Sequence, residues 1–225
     1  MAMLTDQDKE FLRNRFRDEL KNDVTIIAYT KKEEGLESPG LECEFCNETE
    51  ELMNELKDLS DRINLEVRQF RPNDQVASDL GIDKLPALIV TGADQASKAV
   101  TYFGIPGGFE FSSLVEDIID LSKRTTDLDQ STIDKVKSVD KDIHIQVFFT
   151  PTCPYCPIAV RTAHQMAMEN PQHIKADAIE AAEFPALVDK YEIQAVPTVV
   201  INDNIQFEGA LPEEDFANQI VEAVG

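Results

Sequence analysis

The four cysteines of this chain fall into two pairs, Cys43-Glu44-Phe45-Cys46 and Cys153-Pro154-Tyr155-Cys156. With two residues between them, one sulfur can attack an external disulfide and the other can close back on the mixed disulfide that forms. The same spacing supplies thiolate pairs to a metal, so redox exchange and metal ligation are the two chemistries to separate. Cys153 follows the apolar run Ile143–Phe149 by four residues and is expected to open the next helix. A thiol there meets unpaired backbone amides and the positive end of the helix dipole, and both favour the attacking thiolate. Cys156 is then expected one turn in on the same face. Pro154 falls where its missing amide has no intrahelical partner, whereas Pro157 removes the amide that pairs back to the Cys153 carbonyl. The first pair is set differently. Cys43 comes 14 residues after Tyr29, beyond the acidic stretch KKEEGLESPGLE, and Glu42 and Glu44 flank it. Neighbouring negative charge disfavours a thiolate, so Cys43 is expected to be the weaker nucleophile.

The elements that must position these sulfurs occur twice. Cys43 and Cys153 are 110 residues apart, Ile82 and Ile193 are 111, Pro86 and Pro197 are 111, and Gly104 and Gly209 are 105. The same order of features at near-constant offset predicts a duplicated unit. In the first half, helices are expected near Asp6–Leu20, Phe45–Arg62, Asp74–Leu80 and Phe111–Leu121. Strands are expected there near Val24–Tyr29, Leu65–Phe70, Ala87–Val90 and Val100–Phe103. In the second half the expected helices lie near Ser131–Val139, after Cys153, near Phe184–Tyr191 and through Phe216–Val224. Its strands fall at Ile143–Phe149, Ile174–Ile179, Val199–Ile201 and Ile205–Glu208, the last two joined by a turn at Asn202-Asp203-Asn204. This is an α/β layered arrangement around a mixed sheet. The boundary falls in the polar stretch Lys123–Asp127, with Asp127 or Asp129 capping the helix that follows. Residues 1–123 and 124–225 are therefore expected to form the two units. Pro86 and Pro197, preceded by Leu85 and Val196, each begin a strand about 43 residues after a cysteine pair, which suggests cis peptides held beside the sulfurs.

Composition excludes several other functions. Hydrophobic residues make up 42% of the chain, enough for a core, and no apolar run approaches the length of a membrane span. The segment MAMLTDQDKEFLRNRF is not read as a secretory signal. Lys and Arg number 21 against 43 Asp and Glu, and a net charge of −22 repels phosphate backbones and anionic lipid. Nucleic acid and membrane are therefore not expected partners, and a cytoplasmic location is expected.

The order of strand, CxxC at a helix start, proline before an antiparallel pair and glycine at its end resembles the thioredoxin fold. CPYC is a motif common in glutaredoxins, and two such units in one chain, the second carrying TPTCPYCP, look like the protein disulfide oxidoreductases of archaea and thermophilic bacteria. The resemblance covers essentially the whole chain. It implies two tandem thioredoxin-fold units, each a mixed sheet flanked by helices, that perform dithiol–disulfide exchange on protein disulfides, with isomerisation within reach of the same chemistry. Cys153 is then the attacking sulfur, Cys156 the resolving one, and Val196-Pro197 the edge that receives a substrate peptide. By the same carry-over Cys43, Cys46, Leu85 and Pro86 form a first site. Pro154, Tyr155 and Phe45 are expected to present apolar surface beside the sulfurs. No bound cofactor is implied beyond the redox-active disulfides Cys43–Cys46 and Cys153–Cys156, and electrons are expected from a thioredoxin-reductase-like flavoprotein using NADPH.

The chain departs from thioredoxins at Val147, where they place a buried acid six residues before the first cysteine. Three other readings compete. An electron relay to a peroxiredoxin also uses tandem units, although such relays generally keep one CxxC. A zinc site shared by the two pairs is opposed by their separation, and a binding module with purely structural bridges is opposed by how little entropy so short a loop removes. His144, His164 and His173 are expected to be packed or solvated. Pro106-Gly107-Gly108 reads as a turn and lacks phosphate-loop spacing.

Overall fold

The computed structural model describes residues 3–31, 43–71, 74–92 and 99–224. The acidic stretch expected before Cys43, Glu42 included, lies outside the described residues. The first half runs α1 (Asp6–Glu19), β1 (Val24–Thr30), α2 (Cys46–Lys57), β2 (Ile63–Gln69), α3 (Gln75–Asp79), β3 (Ala87–Gly92) and β4 (Ala99–Phe103). A 3-10 turn, Gly108–Glu110, then leads into α4 (Phe111–Lys123). The second half repeats the order: α5 (Gln130–Lys137), β5 (Ile143–Phe149), α6 (Cys156–Glu169), β6 (Ile174–Glu180), α7 (Pro185–Lys190), β7 (Thr198–Ile201), β8 (Ile205–Glu208) and α8 (Glu213–Val224).

The strands form one eight-stranded mixed sheet in the order β2-β1-β3-β4-β6-β5-β7-β8. Each half contributes a parallel pair, β1 with β2 and β5 with β6, followed by an antiparallel pair. The halves join where β4 and β6 run parallel, with Thr101 opposite Asp177 and Phe103 opposite Ile179. Two edges that would otherwise stand open are thereby paired with each other. Following the pairings across the sheet, β1 and β5 point the same way, so both cysteine loops lie at one end of the sheet.

The helices divide by face. The larger core gathers Phe16 of α1, Met53 of α2, Ile118 of α4, Val136 of α5, Val160 of α6 and Phe216 of α8 against Ile26, Ala28, Ile145 and Val147. The smaller core holds Ala77 of α3, with Leu187 and Val188 of α7 packed on it, against Tyr29, Ile89, Phe148 and Ile179. Alternate strand residues point to opposite faces, and burial on both sides makes β1, β3 and β5 near-continuous apolar runs.

Several boundaries differ from expectation. Strand β2 begins at Ile63 and α2 ends at Lys57, because β2 pairs with β1 over seven residues from Val24–Ile63 to Thr30–Gln69. Asp129 does occupy the cap of α5, but its side chain makes no capping bond, and its amide donates to Glu213 Oε1 at 2.8 Å. Cys153 does not open a helix. α6 starts at Cys156, so Pro154 precedes the helix, and Pro157 sits in the first turn where no intrahelical bond is lost.

Candidate functional site

At the second pair, Cys153 and Cys156 are joined as a disulfide with their Cα atoms 5.5 Å apart. Cys156 is fully buried as the first residue of α6, while Cys153 keeps 8% of its surface. The Cys156 amide donates to Cys153 Sγ at 3.1 Å, so one of the orphan donors of the helix start is spent on that sulfur. Such a bond stabilises a thiolate on Cys153 once the pair is reduced. Cys153 Sγ lies 3.6 Å from the Val196 carbonyl oxygen, and Val196-Pro197 is a cis peptide. The Pro197 carbonyl accepts from the Gly209 amide at 2.8 Å, and among the described residues no atom approaches the outer side of Gly209 within 4 Å. The edge beside the sulfur is therefore open. Tyr155 and Ile158 stand 67% and 53% exposed next to it, a patch of apolar surface by the cysteines, and Pro154 is exposed between them and Cys153.

The first pair is built on the same plan with different surroundings. Cys43 and Cys46 form a disulfide with Cα atoms 5.4 Å apart, Cys46 is buried, and the Lys31 amide donates to Cys46 Sγ at 3.1 Å. Leu85-Pro86 is cis, and the Pro86 carbonyl accepts from the Gly104 amide at 2.9 Å. Gly104 thus matches Gly209, but its outer side is occupied. A Cβ there would stand 2.6 Å from Glu180 Cβ and 2.6 Å from Glu183 Oε1, both from the second half. Glu183 Oε1 accepts from the Ile105 amide at 2.7 Å, and Glu180 Oε2 accepts from the Glu183 amide at 2.7 Å. Burial, opposed by the Ile105 amide and helped by the negative charges of Glu180, Glu44 and Glu48, holds the Glu183 carboxyl up at about 7. Phe45 is half-buried and packs on the larger core, so its ring is not a free apolar surface.

A buried carboxyl without any motif around it lies on the seam against the loop before the second pair. Val147 is fully buried among apolar side chains. The 3-10 turn of the first half packs instead against the loop before Cys153: the Phe109 amide donates to the Pro151 carbonyl at 2.9 Å. Gly108, at φ +59°, lies so close that a Cβ would stand 2.1 Å from that same oxygen. This seam carries Glu110, which is completely buried with neither carboxyl oxygen hydrogen-bonded among the described residues. Burial raises its carboxyl to about 8, the Ser113 hydroxyl pulls the other way, and the Asp117 charge adds to the rise. The one sequence signal for it is Pro106-Gly107-Gly108 just ahead, whose glycines allow the close approach. All three histidines meet carboxylates: His144 Nε2 lies 2.6 Å from Asp177, His164 Nδ1 2.6 Å from Asp117 and His173 Nδ1 3.5 Å from Asp142. Among the described residues no three His, Cys, Asp or Glu side chains converge as a metal site, and no helix is long and apolar enough to cross a membrane.

Comparison with known proteins agrees with this geometry. The family model for the thioredoxin domain matches residues 143–222. A solved protein disulfide oxidoreductase from Aeropyrum pernix is 31% identical, and the match covers 96% of this chain and 91% of that one with a TM-score of 0.84. The chain belongs to the protein disulfide oxidoreductase family. The N-terminal N/C domain of alkylhydroperoxide reductase AhpF from Enterococcus faecalis superimposes with a TM-score of 0.85 over 96% of this chain and 99% of that one; at 22% identity it shows the shared fold. Among curated proteins, the F component of alkyl hydroperoxide reductase from Staphylococcus aureus is 30% identical over 79% of this chain and 32% of its own length. A Bacillus subtilis NADH dehydrogenase is 30% identical over 73% of this chain and 30% of its own length. This family member thus spans about a third of the length of the curated relatives it matches.

Proposed function

We propose that the chain reduces or exchanges protein disulfides mainly through Cys153-Pro154-Tyr155-Cys156. The observation that carries this reading is the placement of Cys153 Sγ: it accepts the Cys156 amide, and it borders cis-Pro197 on an edge left open at Gly209. In the cycle the Cys153 thiolate attacks one sulfur of a substrate disulfide, and the other sulfur leaves as a thiolate. Cys156 then loses its proton, attacks Cys153 Sγ and releases the second substrate thiol, so the substrate gains two electrons and the pair is oxidised. Glu110, buried in the seam against Pro151, is the group we assign to take and return the proton of Cys156. Val196 and Pro197 receive the substrate backbone, and Tyr155 and Pro154 its apolar side chains. Cys43 and Cys46, with Leu85 and Pro86, form a second, slower couple behind an acidic wall. Residues 1–123 and 124–225 are the two units. The cycle proceeds in the cytoplasm with electrons from a flavoprotein that uses NADPH.

Insulin-disulfide reduction with dithiothreitol tests this directly. Cys153→Ser is expected to abolish most of the activity and Cys43→Ser to keep most of it, with zinc assayed on each. An inactive wild type from which either substitution releases stoichiometric zinc would refute the redox reading. The similarity to the F component of alkyl hydroperoxide reductase favours a second reading, an electron relay toward a peroxide-reducing partner. Peroxide consumption with a reconstituted thiol peroxidase, faster than insulin reduction at equal concentration, would select it.

A further inference from the structure

Between α4 and α6, the helices that hold the halves together, runs a row of buried polar groups that starts at Glu110 and continues beyond the cycle described above. Glu110, Ser113 and Asp117 follow one another at helical spacing, and all three are 0% exposed. Asp117 Oδ2 accepts from the Tyr102 hydroxyl at 2.5 Å and lies 2.6 Å from His164 Nδ1. His164 is eight residues beyond Cys156 on α6, fully buried, with its ring edge-on to Tyr102 at 5.0 Å. A contact that short requires a proton between Nδ1 and Oδ2, and so commits one ring nitrogen to Asp117. Among the described residues the other, Nε2, has no hydrogen-bond partner, nor has Asp117 Oδ1. Arg161 ends the row toward solvent, 3.6 Å from Asp117 Oδ1, 2.9 Å from Asp120 Oδ2 and 3.5 Å from the exposed Asp127.

Buried polar atoms are normally paired, because an unpaired one has given up its bonds to water and gained none in return. Here the atoms without a hydrogen bond among the described residues are an imidazole nitrogen, the Asp117 oxygen that faces Arg161, the Ser113 hydroxyl and both oxygens of Glu110, lined along a single helix interface. We propose that Asp117 and His164, one from each half, form a proton-accepting couple that exchanges the proton of Glu110 and so positions Glu110 for each turn of the CPYC cycle. The proposal rests on the role assigned to Glu110 above. In the step, Glu110 gives up its carboxyl proton and becomes a carboxylate. The Ser113 hydroxyl, between Glu110 and Asp117 at helical spacing, carries the proton across by gaining one and losing one, and His164 gains a proton on Nε2 and becomes an imidazolium beside the Asp117 carboxylate. No electron moves and the net charge of the row stays constant, which avoids placing an uncompensated charge in a buried site. The other ionisable groups facing the couple are Tyr102 from β4, Arg161 from α6 and, on α4, Asp120 and Glu116, the last held by Arg15 of α1. Arg161, spread between Asp117 and Asp120, compensates the row in both protonation states.

The test uses the full chain carrying Cys43→Ser and Cys46→Ser, so that only the second pair reports. The rate of Cys153 alkylation by iodoacetamide is followed against pH in this parent and in Glu110→Gln, Asp117→Asn and His164→Gln. Glu110 and Asp117 are seven residues apart, about 10.5 Å along a helix, and one charge at that distance moves a titration by about one pH unit at an effective dielectric of about 20. Asp117→Asn is therefore expected to shift the Glu110 inflection down by about one pH unit, and His164→Gln to shift it up by a similar amount. Loosened packing alone would move both variants in the same direction. Shifts of the same sign, or none, overturn the proposal while Glu110→Gln still removes the inflection. If Glu110→Gln leaves the profile intact, the role of Glu110 itself fails. Should His164→Gln not fold, carbon-13 resonances of the Glu110 carboxyl and the His164 ring in the parent decide the matter, because the couple requires a shared inflection and independent titrations overturn it.

Discussion

Replacing Gly108 by alanine probes the seam on which the second site depends. Gly108 adopts φ +59°, and a Cβ built there meets Pro151 O at 2.1 Å and Pro151 C at 2.8 Å. These are backbone atoms, so no rotamer change relieves the overlap, and the 3-10 turn must move off the loop that precedes Cys153. The left-handed conformation costs about 1–2 kcal/mol for a residue with a Cβ. Losing the Phe109–Pro151 hydrogen bond adds about 1 kcal/mol, and opening a packed seam adds about 1 kcal/mol more. The expected loss is therefore about 3–4 kcal/mol. Two controls separate these contributions. Gly209, at φ +89° with nothing within 4 Å, should lose only the backbone contribution of about 1–2 kcal/mol on mutation to alanine. Gly107 has neither a positive φ nor a close neighbour and should change by less than about 0.5 kcal/mol. Urea unfolding of the oxidised proteins, compared at a common m-value, measures all three. Because the seam carries Glu110, Gly108→Ala should also slow insulin reduction. If Gly108→Ala costs no more than Gly209→Ala, the turn does not press on the Pro151 loop and the placement of Glu110 is wrong.

With each pair reduced in a chain whose other pair is Cys→Ser, Cys153 should alkylate about tenfold faster than Cys43 at pH 8, since one nearby carboxylate is worth about one pH unit. Glu183→Gln should narrow that gap above pH 7, where Glu183 carries its charge, and leave it unchanged below pH 6; an equal effect at both pH values would remove Glu183 from the explanation. Stability should report Glu110 as well. Its carboxyl is raised from 4.5 to about 8, so the folded state binds the proton more tightly, and the associated stability is full at low pH and is lost as pH rises through that window. Chemical denaturation of wild type against Glu110→Gln should therefore show a difference that falls by on the order of 4 kcal/mol between pH 4.5 and pH 8, and a flat difference would mean that Glu110 is not buried when folded. Cut between 123 and 124, the two pieces should lose cooperative unfolding unless mixed, because β4 with β6 and α4 with α6 pair across the cut; two pieces that each melt as stably as the whole chain would contradict this.

How much of this is legible in the chain alone depends on the range of the interactions involved. Strands β5 and β8 have the expected bounds, Ile143–Phe149 and Ile205–Glu208, because alternation and apolar runs are local signals. The repeat places both cysteine pairs and both prolines in corresponding positions, and the cis peptides at Leu85-Pro86 and Val196-Pro197 agree with that recurrence. The start of α6 departs from expectation because apolar periodicity shows which face of a helix is buried and not where its first hydrogen bond closes. Only the backbone path through Thr150–Tyr155 puts Cys156, and not Cys153, at the first helical position.

Local and repeated features are written in the chain: which residues are chemical, that they occur twice, and that each pair sits between a strand and a helix. These follow from spacing and side-chain type, which need no knowledge of what lies across the core. What surrounds each sulfur is set only when the halves pack. Glu110 belongs to the first half and lies on the seam against the loop before the second pair, whereas Glu180 and Glu183 belong to the second half and cover Gly104, which bonds Pro86 of the first site. Apart from the glycines just ahead of Glu110, nothing around positions 110 or 183 distinguishes these acids from the chain's other carboxylates. They become special because β4 pairs with β6 and α4 packs on α6, which brings each half against the other's cysteine loop, takes Glu110 out of water and half-buries Glu183. Burial and charge proximity act through space, so residues far apart in the chain set the surroundings of each cysteine pair.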